Sequence, residues 1–133
     1  MPKNAPYVRF EVYVPVHFAI VQNGDRYGDR HMERDTLDPS LVARFTREAV
    51  KRFGGATQAH PGDGPPYRGW WFSTESKTLM VDDLTYFFVL VRADRLDEAE
   101  RFFSRWQETF RVHTNQDVIL ITLHSTQSLG GFL

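Results

Sequence analysis

The chain has 133 residues, 41% of them hydrophobic and 14% aromatic, with 16 basic against 17 acidic side chains and no cysteine. A chain of this length buries roughly two thirds of its unfolded surface without staples, so one domain over residues 1–133 is expected. The missing cysteines exclude disulfide scaffolds, thiol enzymes, zinc ribbons and iron–sulfur proteins, and a net charge of −1 gives no pull toward nucleic acid or anionic lipid.

Residues 1–6 carry no leader-like apolar core, and no apolar run approaches the ~18 residues of a membrane span, so a cytoplasmic protein is expected. From Val8 to Phe18 the alternation is unbroken: Val8, Phe10, Val12, Val14, Val16 and Phe18 share one face, and Arg9, Glu11, Tyr13, Pro15 and His17 the other. Period two predicts a strand with one buried face. Pro15 cannot donate to a ladder, so regular pairing should stop or bulge there. Residues 22–37 mix Arg, Asp, Glu and His around an Asn23-Gly24 turn signal and offer nothing to bury, which predicts a long exposed loop.

Asp38-Pro39 predicts a helix start, a carboxylate to cap free amides followed by a proline pre-set for the first turn. Leu41, Phe45, Ala49 and Phe53 then recur every four residues, and Gly54 is suited to the left-handed conformation that ends a helix. A short strand around Ala56-Thr57-Gln58, a turn at residues 61–66 and a second strand from Tyr67 to Phe72 follow. Residues 86–91 are apolar on both faces, which predicts a central strand. Asp94 is placed to cap a second helix with its core stripe at Leu96, Ala99, Phe103, Trp106 and Phe110. Residues 118–123 read as a last two-sided strand and residues 125–133 as a tail.

The order βαββαβ predicts a ferredoxin-like α+β fold, an antiparallel sheet with two helices on one face. Two helices leave the other face open, yet two strands are apolar on both sides. A second copy of the chain is the expected cover, giving a homo-oligomer, most simply a dimer through the sheet.

Chemical motifs are few. His17, His31, His60, His113 and His124 include no pair at metal-binding spacing, and His31-Met32-Glu33 lacks the cysteines that would complete a zinc deaminase site, so no metal is expected. No phosphate loop or nucleophile elbow calls for a cofactor. Asp82-Asp83 reads as a turn ahead of the central strand, and neighbouring strand residues point to opposite faces, so the two cannot form a shared-proton dyad. Trp70-Trp71, with Tyr67 and Phe72, reads as core and interface or as a stacking platform, with Arg52, Arg68 or Arg92 supplying charge. A basic sheet face and spaced RNA-binding motifs are lacking, so no nucleic acid partner is expected.

Arg52-Phe53-Gly54-Gly55-Ala56-Thr57, then Gly69-Trp70, Asp82 or Asp83 before a hydrophobic strand, and Gln116-Asp117-Val118 after the second helix resemble a pattern in small, uncharacterised bacterial proteins of the ferredoxin-like superfamily. The resemblance covers about residues 8–123 and departs at the proline-rich turn of residues 61–66 and at Trp71. It implies a fold and a cluster, with no assigned reaction. Thr57, Trp70, Asp82 and Gln116 each fall near a strand end, and with Arg52 and His60 they form the candidate ligand-binding set. Fold analogy with PII-like and ACT-like regulators favours a non-catalytic protein that binds a small molecule or a partner protein. The alternatives are a cofactor-free monooxygenase or isomerase of the dimeric α/β-barrel kind, with His60, His113 or Asp82 as acid or base, and a subunit or antitoxin-like partner whose function is its interface.

Overall fold

A computed structural model of the chain describes residues 6–23, 30–59, 67–73, 77–116 and 118–127. Strand β1 (Pro6–Pro15) buries Val8, Phe10, Val12 and Val14, the alternate set that its period required. Its ladder with β6 (Thr78–Arg92) ends where Pro15 lies opposite Leu84. One residue on, the Val16 amide donates to the Asp83 carbonyl at 2.8 Å, and the chain leaves the sheet.

The long loop expected at residues 22–37 is corrected. Strand β2 (His17–Asn23) pairs antiparallel with β3 (Arg30–Thr36) as a separate two-stranded sheet, Val21 opposite Met32. A ladder needs only backbone donors and acceptors, so a charged segment can form one without an apolar stripe to announce it. The turn signal at Gly24 lies outside the described residues.

Helix α1 (Pro39–Phe53) begins as expected, with the Asp38 carboxylate accepting the Ser40 amide at 2.9 Å. It ends at Gly54, whose φ of 91° lets its amide return to the Val50 carbonyl. Strands β4 (Thr57–Ala59) and β5 (Tyr67–Ser73) both pair antiparallel with β6, β4 along residues 86–88 and β5 along residues 78–84. The turn expected between them at residues 61–66 lies outside the described residues. Because β5 supplies a partner for the first part of β6, Asp82 and Asp83 stand inside that strand and not in a turn ahead of it.

Helix α2 (Leu96–His113) follows a single 3₁₀ turn at Ala93–Arg95. Asp94 does not cap it, because its carboxylate is taken by the Arg92 guanidinium at 2.6 Å. Strand β7 (Leu120–Gln127) pairs with β1 from Tyr13–Leu120 to Pro6–Gln127. The expected tail is therefore strand as far as Gln127, since an edge strand with β1 as partner needs no apolar residues to continue; residues 128–133 lie outside the described residues.

The main sheet runs β4, β6, β1, β7 and is antiparallel throughout, an α+β architecture with two helices. Both helices cover one face. Phe103 of α2 stacks on Phe10 of β1 with ring centroids 4.3 Å apart, and Phe45 of α1 sets its edge to Phe87 of β6 at 5.2 Å and to Trp106 of α2 at 5.3 Å. Each such ring contributes roughly 1.5–3 kcal/mol by leaving water. The Trp106 indole N–H, which would be costly to bury alone, donates to the Glu48 carboxylate at 3.0 Å. No helix among the described residues is long and apolar enough to cross a membrane.

Candidate functional site

The odd-numbered residues of β1 face away from the helices, and the register arranges them in rows with their neighbours. His124, Arg9 and Leu90 form one row; Thr122, Glu11, Phe88 and Thr57 the next; Leu120, Tyr13, Tyr86 and Ala59 the third. Residues directly opposite in antiparallel strands share a face at contact distance, so pairing alone assembles these side chains from four strands.

Glu11 is the hub. Its Oε2 accepts the Tyr86 hydroxyl at 2.6 Å and the Tyr13 hydroxyl at 3.1 Å, while Oε1 lies 2.9 Å from His124 Nε2 and 3.7 Å from Arg9 Nε. Arg9 Nη2 in turn donates to the Tyr86 oxygen at 2.8 Å, and the guanidinium lies over the Phe88 ring at 3.9 Å. The Tyr13 and Tyr86 rings sit 5.0 Å apart. Arg9 Nε and Thr122 Oγ1 are buried without a hydrogen-bond partner among the described residues.

This environment separates the titrations. The Tyr86 hydroxyl, then the Tyr13 hydroxyl and the nearby Arg9 charge, hold the Glu11 carboxyl below its ordinary range against the opposing effect of burial. Burial, reinforced by the Glu11 charge, pushes Tyr13 up to about 12, and burial likewise raises Tyr86. At neutral pH the group is thus an ionised carboxylate held by protonated phenols. A base poised to work near neutrality would have its pKa moved toward 7, and here both kinds of group move away from it.

The residues singled out by sequence are dispersed. Thr57 is exposed and stands in the Glu11 row, beside Phe88. Asp82 lies opposite Gly69, six residues from Phe88 along β6 and so about 20 Å from the Thr57 row. Trp70, opposite Val81, is 61% exposed. Gln116 closes the end of α2, its side-chain amide donating to the Thr114 carbonyl at 3.2 Å and its backbone amide to Arg111 at 3.1 Å. Arg52 pairs with Glu98 at 3.6 Å and its carbonyl accepts from Arg95, which ties α1 to α2. The register thus places Trp70 near Asp82 and sets both apart from Thr57. His60 lies outside the described residues. His113 accepts the Asp38 amide at Nε2 over 3.3 Å, joining the start of α1 to the end of α2.

Arg9, Glu11, Tyr13, Tyr86 and His124 leave only a weak signal in one dimension. It consists of an acid and a base two apart on the polar face of β1, which is also what a solvated strand face looks like. Only the pairing partners separate the two cases. Among the described residues no group of three His, Asp or Glu side chains could hold a metal ion. No family model, curated protein or solved structure matches the chain.

Proposed function

We propose that the chain is a ferredoxin-like, homo-oligomeric protein that binds a small molecule on the open face of its sheet, with the Glu11 cluster as the recognition group. The strand order β4, β6, β1, β7 supports the fold reading, because it keeps two βαβ halves interleaved around a central antiparallel pair. The observation that carries the binding reading is the fixed donor set: Glu11 locks both phenols and His124 in place, while Arg9 Nε and Thr122 Oγ1 are buried without a hydrogen-bond partner among the described residues. Leaving such a group unmatched costs about 1–3 kcal/mol, so an acceptor-bearing ligand recovers that loss on binding. Phe88 and Leu90 beside it suit an apolar or aromatic body.

The test is thermal shift against nucleotides, haem and small aromatic acids. At least one class should stabilise the protein, and Arg9→Ala and Thr122→Val should each abolish that shift while leaving the protein folded. A flat response across all three classes, or a shift indifferent to both substitutions, rejects the reading.

A second reading, a cofactor-free enzyme, draws on the Glu11–His124 pair at 2.9 Å, a carboxylate orienting an exposed imidazole as acid–base catalysts do. Turnover of the stabilising compound, lost in His124→Gln with binding kept, separates it from simple binding.

A further inference from the structure

We infer that the outer edge of β7 is where two copies of the chain join, pairing β7 with β7 so that the two sheets become one. The inference rests on the homo-oligomeric reading above and moves the contact from the open face to the edge. Strand β7 has β1 on one side and, among the described residues, no strand on the other. A long free edge is a template for another strand, and proteins that stay monomeric blunt it with lysine, proline or an inward charge. Residues 120–127, Leu-Ile-Thr-Leu-His-Ser-Thr-Gln, contain no proline, lysine, arginine or carboxylate.

Exposed apolar side chains also occur in β7 and in the residues that lead into it. Six large hydrophobic side chains are exposed among the described residues, and four of them fall within residues 112–123: Val112 at 63% at the end of α2, Val118 at 70%, Leu120 at 56% and Leu123 at 51%. The partner is a second copy because β7 is complementary to itself. An antiparallel pair about a two-fold axis at Thr122 sets Ile121 against Leu123 of the partner subunit on the helix side and Leu120 against His124 of the partner subunit on the open side. No pair in that register brings like charges of carboxylate or ammonium together, as a self-paired charged strand would.

The consequence reaches the candidate site. Thr122 stands in the Glu11 row, so the two rows meet end to end across the axis, and the two Glu11 clusters share one continuous face three strand spacings apart, about 14 Å. Leu120 of the partner subunit then lies beside His124 and extends the apolar lining of the site.

Sedimentation velocity of the full chain should give a dimer. Leu123→Lys should raise its dissociation constant at least ~10-fold with the circular dichroism unchanged, since that side chain is half exposed within one protomer. The chain has no cysteine, so single-cysteine variants at residues 121–125 read the register directly. Oxidation should yield a disulfide-linked dimer most readily with Thr122→Cys. A dimer that Leu123→Lys leaves as tight as before, together with no cross-linking at any of the five positions, overturns the edge contact. If Leu90→Lys dissociates that dimer instead, the contact belongs to the open face and the homo-oligomeric reading survives. A chain that is monomeric at every concentration overturns both.

Discussion

Tyr86 donates its hydroxyl hydrogen to Glu11 at 2.6 Å, joining β6 to β1 across 75 positions of sequence. The bond is short because the acceptor is ionised, and it is the largest influence holding the Glu11 carboxyl below its ordinary value of 4.5. A carboxyl whose folded pKa is depressed contributes fully above its unfolded pKa, and the contribution fades as pH falls through the lower folded value. Stability should therefore drop below pH 4.5, and Glu11→Gln should flatten that drop while costing about 1–3 kcal/mol at neutral pH. Urea unfolding from neutral to acid pH measures both. An unchanged acid limb in Glu11→Gln would assign the acid sensitivity to other carboxylates.

The same cluster acts at the alkaline end with the opposite sense. Tyr13 is pushed up from 10.0 to about 12, chiefly by burial and then by the Glu11 charge. A phenol with a raised folded pKa contributes fully below pH 10.0 and loses that contribution as pH climbs toward 12. Tyrosinate absorbance should include a late stage, toward pH 12, that coincides with loss of structure. Tyr13→Phe should reduce the late stage. A single early stage including all five tyrosines would contradict the geometry around Glu11.

Burial was the legible part of this sequence. Val8, Phe10, Val12 and Val14 alternate because one face of β1 meets the helices, and Phe45, Ala49, Phe103, Trp106 and Phe110 keep helical spacing because they pack on that face. Strand β3 was hidden because its sequence, Arg-His-Met-Glu-Arg-Asp-Thr, carries no apolar alternation. The cluster around Glu11 was hidden for a related reason. Its partners come from β1, β6 and β7, and their meeting depends on register, which the pattern of one strand cannot express. Gln116 and Arg52 stand in conspicuous motifs, yet what they bond to is the closing turn and the helix pair.

Phe45 should be the most costly single truncation in the helix layer. It is fully buried, with the rings of Phe87, Trp106 and Phe110 at 5.2, 5.3 and 5.4 Å. These three neighbours belong to both the sheet and α2, so they cannot all close into the space left behind. Phe45→Ala should cost about 3–5 kcal/mol in chemical denaturation. It should also diminish the near-ultraviolet circular dichroism of Trp106. Phe45→Leu should recover part of both, and a loss below about 1 kcal/mol would mean that the layer repacks freely.

Gly54 and Gly55 separate backbone strain from packing, because a Cβ at either one meets nothing within 4 Å. Only Gly54 has a φ of 91°, in the left-handed region that L side chains rarely adopt. Gly54→Ala should therefore cost about 1–2 kcal/mol through the conformation alone. Gly54→Asn should cost less, since asparagine tolerates that region and often ends helices there. Gly55→Ala has neither strain nor crowding to overcome, so its effect on the thermal midpoint should be near zero or slightly stabilising, by restricting the unfolded chain. Equal losses at the two positions would mean that the left-handed backbone at Gly54 carries no cost of its own.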